Sequence, residues 1–190
     1  MTQEIEMESK NLLTKQEYHI LINYFNLATD LAEKQVNYYF ETPDFLLKQY
    51  GSALRIREKN SQWVLTLKQP HHDGLLETHD HLTQLEAIQS ITNRIIVKPN
   101  VNKQLVGQNI DSNSLQYMGS LTTHRLEVPY KNGQVMIDFS KFNGHTDYEL
   151  EIESTSMLTS KKLMKELTKS LGISMKHTPN KIERFYTALL

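Results

Sequence analysis

Almost every stretch of this sequence that reads as a β-strand divides into one apolar face and one ionic face. Alternate side chains of a strand point to the same side. In "EIEMESK", Glu4, Glu6, Glu8 and Lys10 fall in one row with Ile5, Met7 and Ser9 behind them. In "ALRIREK", Arg55, Arg57 and Lys59 oppose Leu54 and Ile56; in "WVLTLK", Lys68 joins Thr66 and Val64, opposite Trp63, Leu65 and Leu67. Further on, Arg125 and Glu127 oppose Leu126, and Asp138 opposes Val135, Ile137 and Phe139. Glu149, Glu151 and Glu153 oppose Tyr148, Leu150 and Ile152. Like charges at such spacing repel unless water screens them or cations stand between them. The opening row is therefore either a wet strand face or part of a site that handles cations and anions together.

Helical signals separate the strands. Thr14 with Glu17, and Thr83 with Glu86, have the spacing of a capping box, each followed by an apolar period of three to four. "TQLEAIQSITNRII" reads as a helix, as does "SKKLMKELTKSLGI", stopped by Gly172. "TPNKIERFYTALL" reads as a closing helix with Pro179 in its first turn. Asn60-Ser61 and Asn132-Gly133 mark hairpins. "KPNVNKQLVGQNIDSNS" reads as loops around a short helix. With no repeat and no linker composition, one antiparallel α+β domain over residues 1–190 is expected.

Two architectures suit such strands. An open antiparallel sheet can leave its ionic side in water. A sheet closed into a barrel, with helices on its apolar outside, must hold the ionic faces inside. Such an interior is tolerable only if its ions are paired, hydrated or bound to metal. It would suit a metal-bearing polyanion, because guanidinium forks match phosphate oxygens and clustered carboxylates match hard divalent cations. Bulk charge narrows the partner. Lys and Arg total 21 against 22 acids, a formal charge of −1, so no nucleic-acid or membrane-surface partner is expected. There is no cysteine, hence neither a disulfide framework nor thiolate chemistry. No apolar run reaches membrane-spanning length and no basic-then-apolar leader opens the chain, so a cytoplasmic location is expected.

The ionic residues fall in a known order. "EMESK" has the ExExK form of the CYTH proteins, the triphosphate tunnel metalloenzymes, and the likeness continues through "LRIR", the lysine of "LTLK" and the glutamate of "LLETH". It extends through Arg125, Asp138, the ExE of "LEIES" and the lysine of "NKIERFY". The chain resembles the CYTH proteins of Gram-positive bacteria over nearly its whole length. The resemblance implies an eight-stranded antiparallel β-barrel with helices packed outside, and a triphosphate bound within it together with Mg²⁺ or Mn²⁺. It assigns Lys10, Arg55, Arg57, Lys68, Arg125 and Lys181 to phosphate oxygens, with Glu77 orienting basic partners. It assigns Glu6, Glu8, Glu151 and Glu153, with Asp138, to metal. Glu6, Glu8, Lys10 and Arg57 are the expected catalytic set.

What the resemblance implies chemically is phosphoryl or nucleotidyl transfer by positioning and charge neutralisation. A site that contacts mainly phosphates favours inorganic triphosphate, with ATP and thiamine triphosphate as weaker substrates. Adenylate cyclase and thiamine triphosphatase are alternative activities, and a non-catalytic polyphosphate- or nucleotide-binding module is an alternative of another class. The chain is expected as a monomer or homodimer. An aromatic platform for adenine or thiamine is not evident, since the parity of Trp63 assigns it to the core. Glu77, His79 and His81 alternate, which suits either transition-metal ligation or a polar strand end. His71 and His72 are expected in a turn, and Glu4, outside the motif, is excluded from the site.

Overall fold

The computed structural model describes residues 3–189, so both limits of the expected 1–190 domain lie outside the described residues. In chain order the elements are β1 (Gln3–Glu6), β2 (Glu8–Leu13), α1 (Lys15–Tyr24), β3 (Glu33–Glu41), α2 (Leu46–Gln49), β4 (Ala53–Lys59), β5 (Gln62–His71) and β6 (Gly74–Leu82). There follow α3 (Gln84–Thr92), α4 (Pro99–Gly107), β7 (Gln116–Tyr130), β8 (Gly133–Phe142), β9 (His145–Ser154), α5 (Met157–Ser170) and α6 (Lys181–Thr187). The fold is α+β, and its strands pair antiparallel. Among the described residues there are nine strands where eight were expected, because the opening strand is interrupted at Met7. Glu6 ends β1, which pairs with β6, whereas Glu8 begins β2, which pairs with β9. The row from Glu4 to Lys10 thus serves two different pairings. No described helix is long and apolar enough to cross a membrane.

Two compact units divide the chain. The first comprises the described residues up to Glu6 together with Gln35–Ser120, and its strands run in the order β1-β6-β5-β4-β3. Asn60 and Ser61, at φ 52° and 62°, close the β4–β5 hairpin with both central residues in the left-handed region, the geometry that matches strand twist. The apolar face presents Phe40, Leu54, Ile56, Leu65 and Leu67 to Leu47 of α2, Ala87 of α3, and Val101 and Leu105 of α4. Each such side chain contributes ~1.5–3 kcal/mol on burial. Trp63 packs against this cluster and stacks on Tyr38, as its parity predicts. The Thr83 capping box starts α3, which ends at Thr92, short of the Ile96 that periodicity suggested. Buried Asp80 accepts from the Val101 amide at 2.8 Å and from Asn100 Nδ2 at 2.6 Å, tying the start of α4 to β6.

The second unit comprises Met7–Lys34 and the described residues from Leu121 on, with strand order β7-β8-β9-β2. Leu126, Val135, Ile137, Leu150 and Ile152 pack against Tyr18, Leu21 and Ile22 of α1 and Leu163, Met164 and Leu167 of α5. The expected β7–β8 hairpin is present, but its turn falls one residue earlier, at Lys131-Asn132, with Tyr130 paired to Gly133. The glycine serves close approach instead: a Cβ there would stand 2.8 Å from the Glu153 carbonyl oxygen and 2.9 Å from Leu163 Cδ1. Pro179 precedes the closing helix α6 and lies outside its first turn, because Asn180 is the N-cap and donates its amide to Glu183 Oε2 at 2.7 Å.

Candidate functional site

Each unit gathers its ionic side chains on the sheet face opposite its core, and strand register decides which of them meet. In the first unit Lys68 is the Cα partner of Glu77, which is in turn the partner of Glu4. Lys68 Nζ donates to Glu6 Oε2 at 2.5 Å and forms an ion pair with Glu77 Oε1. Arg55 Nη2 stands 3.6 Å from the same Glu77 oxygen. Burial pushes the Glu77 carboxyl up, but Lys68 and Arg55 outweigh it and hold it down at about 2. The Nε–H of Arg55 is buried and finds no acceptor among the described residues. Arg57 Nε donates to Asn37 Oδ1 at 2.9 Å. Beside it, a cavity of about 280 Å³ is lined by Arg57, Lys59, Asn60, Gln62 and Val64.

In the second unit the carboxylates are the more deeply buried. Arg125 and Asp138 are register partners, as are Asp138 and Glu149. Arg125 also contacts Glu151. Lys181, at the start of α6, brings its Nζ to 2.8 Å from Asp138 Oδ2, 2.5 Å from Glu149 Oε2 and 2.5 Å from Glu151 Oε1. Arg184, one helical turn on, donates through Nη2 to Glu149 Oε2 at 2.7 Å and through Nε to Asp147 Oδ2 at 2.8 Å. Lys10 donates to Glu8 Oε1 at 2.6 Å, and Lys10 is the Cα partner of Glu151.

These contacts settle the charges. Burial opposes the Glu151 carboxylate, but Lys181, Arg125 and Lys10 hold its pKa well below the usual range. Burial likewise opposes the Lys181 ammonium, and Asp138, Glu149 and Glu151 hold its pKa well above the ordinary lysine value. Burial lowers and the neighbouring carboxylates raise the pKa of Lys10, with a net rise. Glu151, Lys181 and Lys10 therefore remain charged at neutral pH, in pairs that make their burial tolerable.

Asp138, Glu149 and Glu151 each offer an oxygen within 4.8 Å of the others. An all-oxygen donor set fits a hard divalent cation such as Mg²⁺ or Mn²⁺, and the Lys181 ammonium already occupies the point where these carboxylates converge. Of the expected metal ligands, Asp138 and Glu151 belong to this cluster, Glu8 stands on neighbouring β2, and Glu6 lies in the first unit beside Lys68. Glu153 is exposed and lines a separate cavity of about 470 Å³ with Lys131, Asn132, Gly133, Gln134, Ser154 and Thr155. Glu149 is the third member of the cluster. Its parity with Glu151 was the signal for it, while Arg184 carried only the helical spacing from Lys181. The row Glu77, His79, His81 separates: His79 reaches Glu4 and Glu77, whereas His81 is exposed. His72 and Asp73 form the exposed β5–β6 turn.

The fold is antiparallel α+β and carries guanidinium, ammonium and carboxylate groups together, a chemistry that suits anions with accompanying cations. The CYTH domain matches residues 4–186, which include residues of both units, and the chain belongs to the CYTH domain family. YjbK of Bacillus subtilis (strain 168), provisionally named a triphosphatase, is 39% identical over 186 residues, covering 98% of this chain and 96% of that protein. The crystal structure of bh2851 from Bacillus halodurans, provisionally named an adenylate cyclase, matches with a TM-score of 0.94 at 39% identity, over 98% of this chain and 100% of the other. HpAC1 of Hippeastrum, provisionally named an adenylyl cyclase and described as having a dominant triphosphatase activity, shares the fold with a TM-score of 0.77. Its identity is 20%, over 97% of this chain and 95% of that one.

Proposed function

We propose that this chain hydrolyses a triphosphate compound, inorganic triphosphate foremost, in the presence of Mg²⁺ or Mn²⁺. The observation that carries this reading is the buried Nε–H of Arg55, which has no acceptor among the described residues. A buried donor left unmet costs about 1–3 kcal/mol, and a phosphate oxygen is the acceptor that a guanidinium fork suits best. Lys68 beside it adds a compact positive charge. The triphosphatase name of YjbK, a relative 39% identical, points the same way.

Arg55, Arg57 and Lys68 of the first unit, and Lys10, Arg125 and Lys181 of the second, are the proposed phosphate-binding cations, and Glu77 orients Lys68 and Arg55. Glu6, Glu8, Asp138, Glu151 and Glu153 are the proposed metal ligands, to which the geometry of the carboxylate cluster adds Glu149. These carboxylates would hold a divalent ion, which would supply charge neutralisation at phosphate oxygens and lower the pKa of water. A carboxylate of Glu6 or Glu8 accepts the proton of the attacking water. The terminal phosphorus–oxygen bond of the anhydride breaks, and the basic side chains stabilise charge on the leaving phosphate oxygens. Tripolyphosphate and water then yield pyrophosphate and orthophosphate, without a serine, cysteine or histidine nucleophile.

A substrate panel tests the reading: initial rates of phosphate release from tripolyphosphate, ATP and thiamine triphosphate with Mg²⁺ or Mn²⁺. Tripolyphosphate is expected to be the fastest. The adenylate cyclase name of bh2851 favours one competing activity, which the same panel detects as cyclic AMP formed from ATP with release of pyrophosphate. Tight tripolyphosphate binding without turnover would make the chain a binding module.

A further inference from the structure

β1 and β6 set two like charges opposite each other, since Glu4 and Glu77 are Cα partners. Carboxylates directly across a strand pair repel. His79, on the same face of β6 as Glu77, sends its Nε2 to both of them: 3.1 Å from Glu4 Oε1 and 3.3 Å from Glu77 Oε2. Its Nδ1 stands 3.0 Å from Thr66 Oγ1, and Thr66 is its register partner on β5. Ionised carboxylates only accept hydrogen bonds, so Nε2 carries a proton. In the neutral ring Nδ1 is then free to accept from the Thr66 hydroxyl. The ring is held from one side and presents a polarised N–H on the other.

This arrangement divides the work of the Glu77 carboxylate. Oε2 lies against His79, while Oε1 faces Lys68 and Arg55. Without the N–H between them, repulsion from Glu4 would turn the Glu77 carboxylate, and both cations would lose the anion that aligns them. We infer that His79 is a positioning residue for the phosphate-binding cations Lys68 and Arg55, acting through Glu77; this rests on the triphosphate reading above.

The test compares KM and kcat for tripolyphosphate with Mg²⁺ in the wild type and in His79→Ala, His79→Gln, Thr66→Val and Glu4→Gln. His79→Ala is expected to raise KM about tenfold and to change kcat less than about threefold, the signature of lost uniform binding. His79→Gln, whose amide N–H replaces Nε2–H, returns KM to within about threefold of wild type. Thr66→Val gives an intermediate rise, and Glu4→Gln leaves KM unchanged because it removes the charge that repels Glu77 and keeps an amide oxygen to accept from His79 Nε2. Thermal melts accompany each variant, and if His79→Ala does not fold, the Gln and Thr66→Val variants decide. If the wild type binds tripolyphosphate without turnover, calorimetric Kd values replace KM with the same expected ratios. An active wild type whose KM is indifferent to His79→Ala or Thr66→Val overturns the role of His79 and leaves the triphosphate reading standing. A wild type that neither binds nor hydrolyses tripolyphosphate overturns both.

Discussion

Arg125 and Asp138 face each other as register partners across β7 and β8 and are joined by two hydrogen bonds, Nε to Oδ1 at 2.8 Å and Nη2 to Oδ2 at 2.7 Å. Asp138 is 0% exposed. The fork thus gives a wholly buried carboxylate two charge-assisted hydrogen bonds.

Removing the guanidinium leaves both Asp138 and Glu151 short of a counter-charge. Breaking a buried pair from one side costs about 3–5 kcal/mol. Arg125→Ala is expected to lose stability of that order in urea unfolding. Arg125→Lys, which keeps the charge but not the fork, should fall between the two. An Arg125→Ala chain as stable as wild type would show that the pair is not needed for the fold.

Lys181 supplies the cation among Asp138, Glu149 and Glu151. Lys181→Ala should destabilise the chain, and Mn²⁺ should restore more stability to the variant than it adds to wild type, because a divalent ion then meets carboxylates without a competing ammonium. Melting temperatures of both chains with and without Mn²⁺ check this. An equal metal response in both would remove these carboxylates from the proposed metal set.

Glu77 gives a pH prediction with a definite sign. Its carboxyl is held at about 2 against an ordinary 4.5. A depressed acid contributes stability that is complete above its unfolded pKa and disappears as pH falls through its folded one. Between about pH 4.5 and 2 the wild type should therefore lose on the order of 3 kcal/mol through this group. Glu77→Gln should show a shallower fall over the same window. Parallel pH profiles of unfolding free energy would contradict the assignment.

Gly133 is expected to tolerate no side chain. Gly133→Ala forces a Cβ into the Glu153 carbonyl and Leu163, and overpacking of this kind costs about 1–3 kcal/mol. Urea unfolding of this single variant is the check, and a neutral result would mean that β8 can shift from β9 at little cost.

Local periodicity made much of this legible. "ALRIREK" forms β4 with the boundaries that alternation and the Asn60-Ser61 turn suggested, and both capping boxes start helices. The break at Met7 was not legible, because Met7 continues the alternation without a flaw; what ends β1 is a change of pairing partner from β6 to β9. The same limit applies to the ionic residues. Parity assigned Glu149, Glu151 and Glu153 to one row, but which of them meets a cation depends on where α6 delivers Lys181 and Arg184. Glu149 and Glu151 lie within that reach, and Glu153 is exposed near the hairpin end. Alternation reports a face; only the packed helix reports what stands against it.

The most direct measurement is the initial rate of phosphate release from tripolyphosphate with Mn²⁺, for wild type and Arg55→Ala, before and after chelation. Metal-dependent turnover in the wild type is expected, abolished by chelator, with kcat/KM lower by about a hundredfold in Arg55→Ala. Turnover that survives chelation, or is unchanged by the loss of Arg55, would contradict the account.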